Sequence, residues 1–195
     1  MRSSKPERSD KEYLRGYFKE KRDRLVDDPR RKKALDEEIQ TRLIISAGYR
    51  AADTILVYMA QKNEIATSMI IRAALANNKI VGLPVCFDGG RMEFRRIYSL
   101  SQLRPGRFGI PEPDDDCEPI VPDEKTLCVC PCLCCDMDGS RLGWGGGYYD
   151  RYLDGFKGIK AALCYSDGVI PSIKGEAFDI KMNVIHTDSF SRYIR

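Results

Sequence analysis

Residues 141–151 read Arg-Leu-Gly-Trp-Gly-Gly-Gly-Tyr-Tyr-Asp-Arg, with Gly143, Gly145, Gly146 and Gly147 set between Arg141 and Arg151. Glycine has no Cβ, so it reaches left-handed backbone cheaply and lets a ligand approach the main chain. Successive free N–H groups that run into a helix start form a concave anion site. The two arginines add cationic side chains at its ends. Asp150 falls in what reads as the first helical turn, where a carboxylate is favoured by the dipole and could hold a magnesium ion. The chemistry indicated is the gripping of a nucleotide phosphate. The run is neither a dinucleotide-binding fingerprint nor a Walker loop, because no Lys-Ser/Thr pair closes it. A ligand-free glycine turn is the competing reading of such a cluster.

Two further sets of residues invite chemistry. Lys11 and Arg15 are four apart and share one side of a helix, which on spacing alone reads as a solvated face. Glu64 stands just beyond an apolar run and before a helix, where a carboxylate can simply favour the helix dipole.

These residues need elements to place them. Residues 10–26 predict an amphipathic helix with Tyr13, Leu14, Tyr17, Phe18 and Leu25 on its apolar face and Asp10 as N-cap. Asp27-Asp28-Pro29 breaks it, and a second helix spans 30–47 with Leu35, Ile39, Leu43 and Ile44 inward and Gly48 as its stop. Residues 54–60 read as a buried parallel strand, followed by a helix from Ala66 to about Asn77 and a strand over 79–86. Residues 91–98 form a more exposed strand, and 99–126 a polar, proline-rich connection whose Asp114-Asp115-Asp116 is a solvated loop. Strands at 127–133, 159–165 and, last, 184–187 complete the chain. Strand–helix alternation of this kind marks an α/β fold whose ligands gather beyond the strand C-termini. The expectation is one Rossmann-like, three-layer domain over 1–195, a mostly parallel sheet with helices on both faces and a flexible 1–9.

Composition limits the rest. The chain has 195 residues, 43% hydrophobic and 31% charged, with a net charge of +3. That suits a globular protein and is too mild to argue for nucleic acid. No apolar run approaches the ~20 residues that cross a bilayer, and no export signal is visible, so a cytoplasmic protein is expected. Eight cysteines are present, five of them between 128 and 135. Alternation would put Cys128, Cys130, Cys132 and Cys134 on one strand face. Cys132 and Cys135 make a C-x-x-C, but His186 is the only histidine and no second pair supports zinc. The cysteines are therefore read as small buried hydrophobes, and His186 is given no catalytic part.

Gly139 to Arg151 resembles, without a gap, the signature of the 5-formyltetrahydrofolate cyclo-ligase family, also called methenyltetrahydrofolate synthetase. The Lys-x-x-Leu-Arg of Lys11 to Arg15, the Glu-Ile-x-Thr from Glu64 and the Gly-x-Pro-Glu-Pro from Gly109 resemble that family too. The resemblance implies an ATP-dependent ligase, with magnesium, that closes 5-formyltetrahydrofolate to 5,10-methenyltetrahydrofolate and releases ADP and phosphate. It implies an ATP site of Lys11, Arg15, Arg141, Leu142, Gly143, Trp144, Gly145, Gly146, Gly147, Tyr148, Tyr149 and Arg151. It implies folate contacts from Arg15, Met59, Glu64, Trp144 and Tyr148, with Arg141, Glu64 and Lys11 in the chemistry and Asp150 on the metal. A carboxylate at Glu64 could accept hydrogen bonds from a pterin or take a proton from the attacking nitrogen. Trp144 and Gly146 replace basic residues of some relatives, so Trp144 is expected to stack on pterin or adenine. Asn183 stands where some relatives place an aspartate near magnesium, which puts that second metal contact in doubt. The partners implied are a reduced folate and ATP, for a monomer or weak homo-oligomer, with no nucleic acid and no membrane. The alternatives are a non-catalytic relative that binds nucleotide or folate to regulate something, and a cysteine-based metal or redox protein.

Overall fold

A computed structural model describes residues 11–176 and 178–194. The expected flexible segment 1–9 and the Asp10 cap lie outside the described residues. The chain opens with α1 (Lys11–Val26), α2 (Pro29–Ile44) and the short α3 (Ala47–Ala51). Asp28 caps α2, its carboxylate accepting from the Arg31 N–H at 3.1 Å, and Pro29 occupies the first turn, where its missing N–H costs nothing. Gly48, expected as the helix stop, instead lies inside α3. The break comes at Ile45–Ser46, where the Ser46 hydroxyl accepts from the Tyr49 N–H at 3.2 Å and starts α3. Tyr13, expected on the packed face of α1, is 58% exposed, and the buried line is Leu14, Phe18 and Arg22.

Then follow β1 (Thr54–Val57), α4 (Ser68–Ala76), β2 (Ile80–Cys86), β3 (Met92–Ile97), β4 (Leu103–Pro105) and β5 (Pro111–Pro113). The second half holds β6 (Thr126–Pro131), β7 (Cys134–Asp136), β8 (Arg141–Leu142), α5 (Tyr148–Tyr152), β9 (Ile159–Leu163), β10 (Val169–Ile170), β11 (Val184–His186) and β12 (Ser191–Tyr193). The main sheet runs β12-β11-β9-β6-β1-β2-β3, parallel throughout its centre and antiparallel only at its two edge strands. Residues 184–187 were expected to close the chain, but β12 follows and pairs against β11. Its Ser-Arg-Tyr carries no apolar alternation to announce a strand. Pro84 is tolerated in β2 because pairing with β1 ends at Gly82.

Both sheet faces are buried, which explains the unbroken apolar runs. Ile55, Val57 and Val129 point to one face, under Ile39, Leu43, Tyr49 and Ile70 of the helices α2, α3 and α4. Leu56, Cys128 and Cys130 point to the other, under Leu153, Met182 and the partly buried tyrosines of α5. The mostly parallel α/β reading therefore holds, with a thin second helical layer. The common cysteine face does not hold to its end. β6 stops at Pro131, and Cys134 belongs to β7, packed with Leu14 and Phe18 of α1. All five clustered cysteines are buried, as small hydrophobes should be.

The topology fixes where a ligand belongs. From β1 the chain builds outward through β2 and β3, then returns and builds the other way through β6, β9 and β11. The strand order reverses between β1 and β6, and the crevice beyond their C-terminal ends is the natural binding place of such a sheet.

Candidate active site

Tyr58, Met59 and Glu64 follow β1 at this reversal, and Cys132 and Leu133 follow β6. The turn is held firmly. The Tyr58 hydroxyl donates to Ile65 O at 2.9 Å and the Thr67 hydroxyl to Tyr58 O at 2.8 Å. Met59 is half-buried against the helix-side core. Glu64 is buried, and its Oε2 accepts from the Gln61 N–H at 2.8 Å. Since α4 starts only at Ser68, Glu64 is not in a helical first turn, and the helix-dipole reading of it fails. Burial pushes its pKa up, against the pull of the Gln61 N–H, a hydrogen bond from the Trp144 side chain and the charge of Arg22.

Arg22 is a site residue that sequence reasoning missed. Its guanidinium is buried, donates to Cys132 O at 2.7 Å and lies 4.5 Å from the centre of the Tyr165 ring. The signal was its four-residue spacing after Leu14 and Phe18, which puts it on the packed face of α1.

The glycine run lies beside this crevice. β8 pairs with β7, matching Arg141 to Cys135, and the Leu133 N–H donates to Leu142 O at 2.7 Å just before Gly143. Gly145 and Gly147 take φ of +103° and +66°, the left-handed region that favours glycine. Gly146 does not, but a Cβ there would stand 2.8 Å from the Tyr148 ring. α5 has only five residues, so its dipole is small and the attraction for an anion falls mainly to side chains. Arg15 supplies one, donating from Nε to Gly143 O at 3.3 Å. Arg151 staples the loop, donating to Gly146 O and, at 2.9 Å, to Gly90 O.

Arg141 is buried and pairs through Nη2 with Asp150 Oδ1 at 3.0 Å, while its Nε has no partner among the described residues. The Tyr149 hydroxyl is likewise buried and without a partner among the described residues. Tyr148 packs edge-on to Phe108 at 6.2 Å, and Phe108 is 65% exposed with a left-handed φ of +57°. Trp144, 39% exposed, closes the loop toward Glu64. Lys11 ion-pairs with Glu176 and, at 2.7 Å, with Asp179. The Ile180 N–H one residue further reaches Asp150 Oδ1 at 3.3 Å. Glu176, Asp179 and Ile180 thus tie Lys11 to the Arg141–Asp150 pair, and neither carboxylate was singled out from sequence.

Asp150 Oδ1 is spent on Arg141 and Ile180, and its Oδ2 enters no bond among the described residues. One carboxylate oxygen with substrate phosphates and water is an ordinary magnesium environment, so Asp150 fits such an ion. Asn183 does not fit. Its Oδ1 accepts from the Lys160 N–H at 2.9 Å, stitching β9 to the segment before β11. His186 is buried, and its Nδ1 hydrogen-bonds the Ser191 hydroxyl at 2.7 Å. Burial drives its pKa down to about 4, which keeps it neutral and structural.

A family model described as "5-formyltetrahydrofolate cyclo-ligase family" matches residues 7–188. The chain belongs to the 5-formyltetrahydrofolate cyclo-ligase family. It is accordingly an enzyme, a ligase. The Haemophilus influenzae 5-formyltetrahydrofolate cyclo-ligase is 30% identical over 68% of this chain and 74% of its own length. The Escherichia coli K12 protein of that name is 26% identical over 83% of this chain and 92% of its own. Among solved structures, the NMR structure of Aquifex aeolicus 5,10-methenyltetrahydrofolate synthetase superposes with a TM-score of 0.80 at 29% identity, covering 95% of this chain and 93% of that one. The two chains therefore share the fold. No described helix is long and apolar enough to cross a membrane.

Proposed function

We propose that the chain catalyses the ATP-dependent closure of 5-formyltetrahydrofolate to 5,10-methenyltetrahydrofolate, with release of ADP and phosphate. The observation that carries this reading beyond the family is that two of the four partnerless buried side-chain polar atoms among the described residues, Arg141 Nε and the Tyr149 hydroxyl, stand beside an open glycine loop. A buried polar group without a protein partner is costly, and here, at the mouth of a glycine loop, a bound phosphate is the partner that this reading supplies.

In this reading the loop over 143–147, with Leu142, Tyr148 and Tyr149, cradles the ATP phosphates. Arg15, Arg141 and Arg151 surround them, and Lys11 joins on exchanging a carboxylate for a phosphate. Asp150 holds magnesium, which neutralises phosphate charge when bound. The formyl oxygen is a poor leaving group and must be activated. It attacks the γ-phosphorus, the bond to ADP breaks, and N5 shares its lone pair to leave an iminium carbon bearing phosphate. N10 attacks that carbon, phosphate departs with the oxygen, and N10 loses its proton. Arg141 balances the negative charge that develops on the transferring group. Glu64 accepts the pterin N–H groups and takes the N10 proton, a task suited to a carboxylate whose pKa burial has raised. Trp144, Met59 and Tyr148 enclose the pterin beside Arg15.

The test is absorbance of the methenyl product from purified protein, 5-formyltetrahydrofolate, ATP and magnesium, with ADP measured in parallel. Product and ADP are expected in equal amounts. No turnover, or turnover indifferent to ATP, overturns the proposal.

A further inference from the structure

Three thiols from three different strand ends converge behind the crevice. Cys132 follows β6, Cys135 lies in β7 and Cys164 follows β9, and their Sγ atoms all lie within 4.8 Å of one another. Cys132 and Cys135 are 3.3 Å apart at sulfur. All three are buried, but each of two is followed by a residue that lines an open cleft of about 300 Å³, Leu133 after Cys132 and Tyr165 after Cys164. The buried guanidinium of Arg22 lines the same cleft and binds the Cys132 carbonyl.

We infer that Cys132 and Cys135 form a reversible disulfide on exposure to hydrogen peroxide, and that its formation shifts the glycine loop. Zinc suits the trio poorly, since a structural zinc site wants four ligands and only three are present among the described residues. The trio does meet the needs of thiol oxidation. Contacts with the Cys135 and Cys164 thiols, and more weakly the charge of Arg22, pull the Cys132 pKa down, and the thiolate forms when Cys132 gives up the S–H that it donates to Leu163 O at 3.1 Å. A C-x-x-C spacing supplies the resolving thiol. The Cys132 thiolate attacks one peroxide oxygen, the O–O bond breaks, and one water leaves, giving a sulfenic acid. Cys135 sulfur then displaces that oxygen as a second water. Two electrons pass from the sulfur pair to the peroxide, and two thiol protons end in the two waters.

The route to the loop is short. Cys135 is the register partner of Arg141 in β8, and Leu133, next to Cys132, bonds Leu142 beside Gly143. Drawing the sulfurs together pulls on both strands that lead into the loop. Trp144 is the only tryptophan of the chain, so its fluorescence reports the loop directly.

Reduced full-length protein would be treated with hydrogen peroxide, then with dithiothreitol, and followed by intact mass, fragmentation and Trp144 fluorescence. The expected product is two hydrogens lighter and cross-linked at Cys132–Cys135, with a fluorescence change that dithiothreitol reverses. Because Cys164 lies near enough to take over as resolving thiol, Cys135→Ala combined with Cys164→Ala should instead stop at a Cys132 sulfenic acid trapped by dimedone, without the fluorescence change. Cys130→Ala, equally buried but outside the trio, should behave as wild type and controls for packing. The inference is overturned if the thiols react only as the chain unfolds, if the cross-link joins other cysteines, or if the disulfide leaves fluorescence unchanged. Stoichiometric zinc or copper that blocks oxidation of the purified protein overturns it as well.

Discussion

Replacing Glu64 by glutamine separates chemistry from folding at one atom. Glutamine keeps the size and the amide oxygen that can still accept from the Gln61 N–H, so the 61–64 turn survives. What disappears is the negative charge and the basicity. A hydrogen bond to a charged acceptor contributes roughly 1.5–3 kcal/mol, and each 1.4 kcal/mol is a factor of ten, so kcat/KM for the folate should fall about ten- to a hundred-fold. A share of that fall in kcat rather than KM would mark the lost proton acceptor. The KM for ATP should stay within a few-fold. Stability should move the other way. Burial raises the folded-state pKa of Glu64 above its unfolded value, so the ionised group weighs against folding at neutral pH. Wild type recovers that stability as pH falls through the raised pKa, whereas glutamine does not titrate. The variant should therefore melt at or above wild type at pH 7, with the difference closing as the pH is lowered toward the carboxylate range. Steady-state kinetics for both substrates and calorimetry across pH measure this. Wild-type folate kinetics together with a lowered melting temperature would refute the substrate contact and leave Glu64 a clamp of its own turn.

Other residues give sharper contrasts than alanine would. Tyr149→Phe removes a buried hydroxyl with no partner among the described residues, so calorimetry should show an equal or higher melting temperature while KM for ATP rises several-fold. Arg141→Met leaves Asp150 without its guanidinium and should cost about 1–3 kcal/mol, less than a fully buried pair because Asp150 is partly exposed; Arg141→Met with Asp150→Asn should regain most of the stability and none of the turnover. Gly147→Val meets a φ of +66° and a guanidinium nitrogen 2.8 Å from its new Cβ, and should abolish ATP binding measured by calorimetric titration. Gly143→Ala, with its nearest neighbour at 3.7 Å, should fold normally and weaken ATP only moderately.

The legible part of the molecule was the part in which one local signal decides the outcome. Apolar runs at 54–57 and 80–86 are strands because both their faces are buried, and the sequence pattern for that is simple. The glycine run is legible because Gly145 and Gly147 take left-handed backbone that other residues rarely adopt. What could not be read depends on partners remote in the chain. Arg22 looks like any helix cation until Cys132, over a hundred residues later, turns its carbonyl toward it. Glu176 and Asp179 look like loop carboxylates until Lys11 is set between them. Gly48 failed as a stop because Ser46 offered a better helix start two residues earlier. Cys134 left the common face because β6 ends at Pro131, and period-two reasoning holds only while the strand lasts.

The helix α1 shows why packing and charge in this site have to be argued together. Leu14 and Phe18 seat it on Leu133, Cys134, Leu142 and Ile170, residues of the small β7-β8-β10 sheet and its links to β6 and the loop. The same seating fixes three cations at intervals of a turn or two. Lys11 meets the segment that braces Asp150, Arg15 meets Gly143, and Arg22 reaches the end of β6 beside Glu64. Positive charge is thereby delivered to the phosphate side and the pterin side of the proposed site by one rigid element. A mostly parallel sheet alone offers only a crevice at its strand reversal, open to any ligand of the right size. In the proposed site, α1 is the element that adds cations to that crevice. Its apolar line sets the position, and the side chains adjoining that line set the charge. A shift of α1 on Leu133 and Leu142 would move all three cations at once, so the two substrates of the proposed reaction share a single structural support.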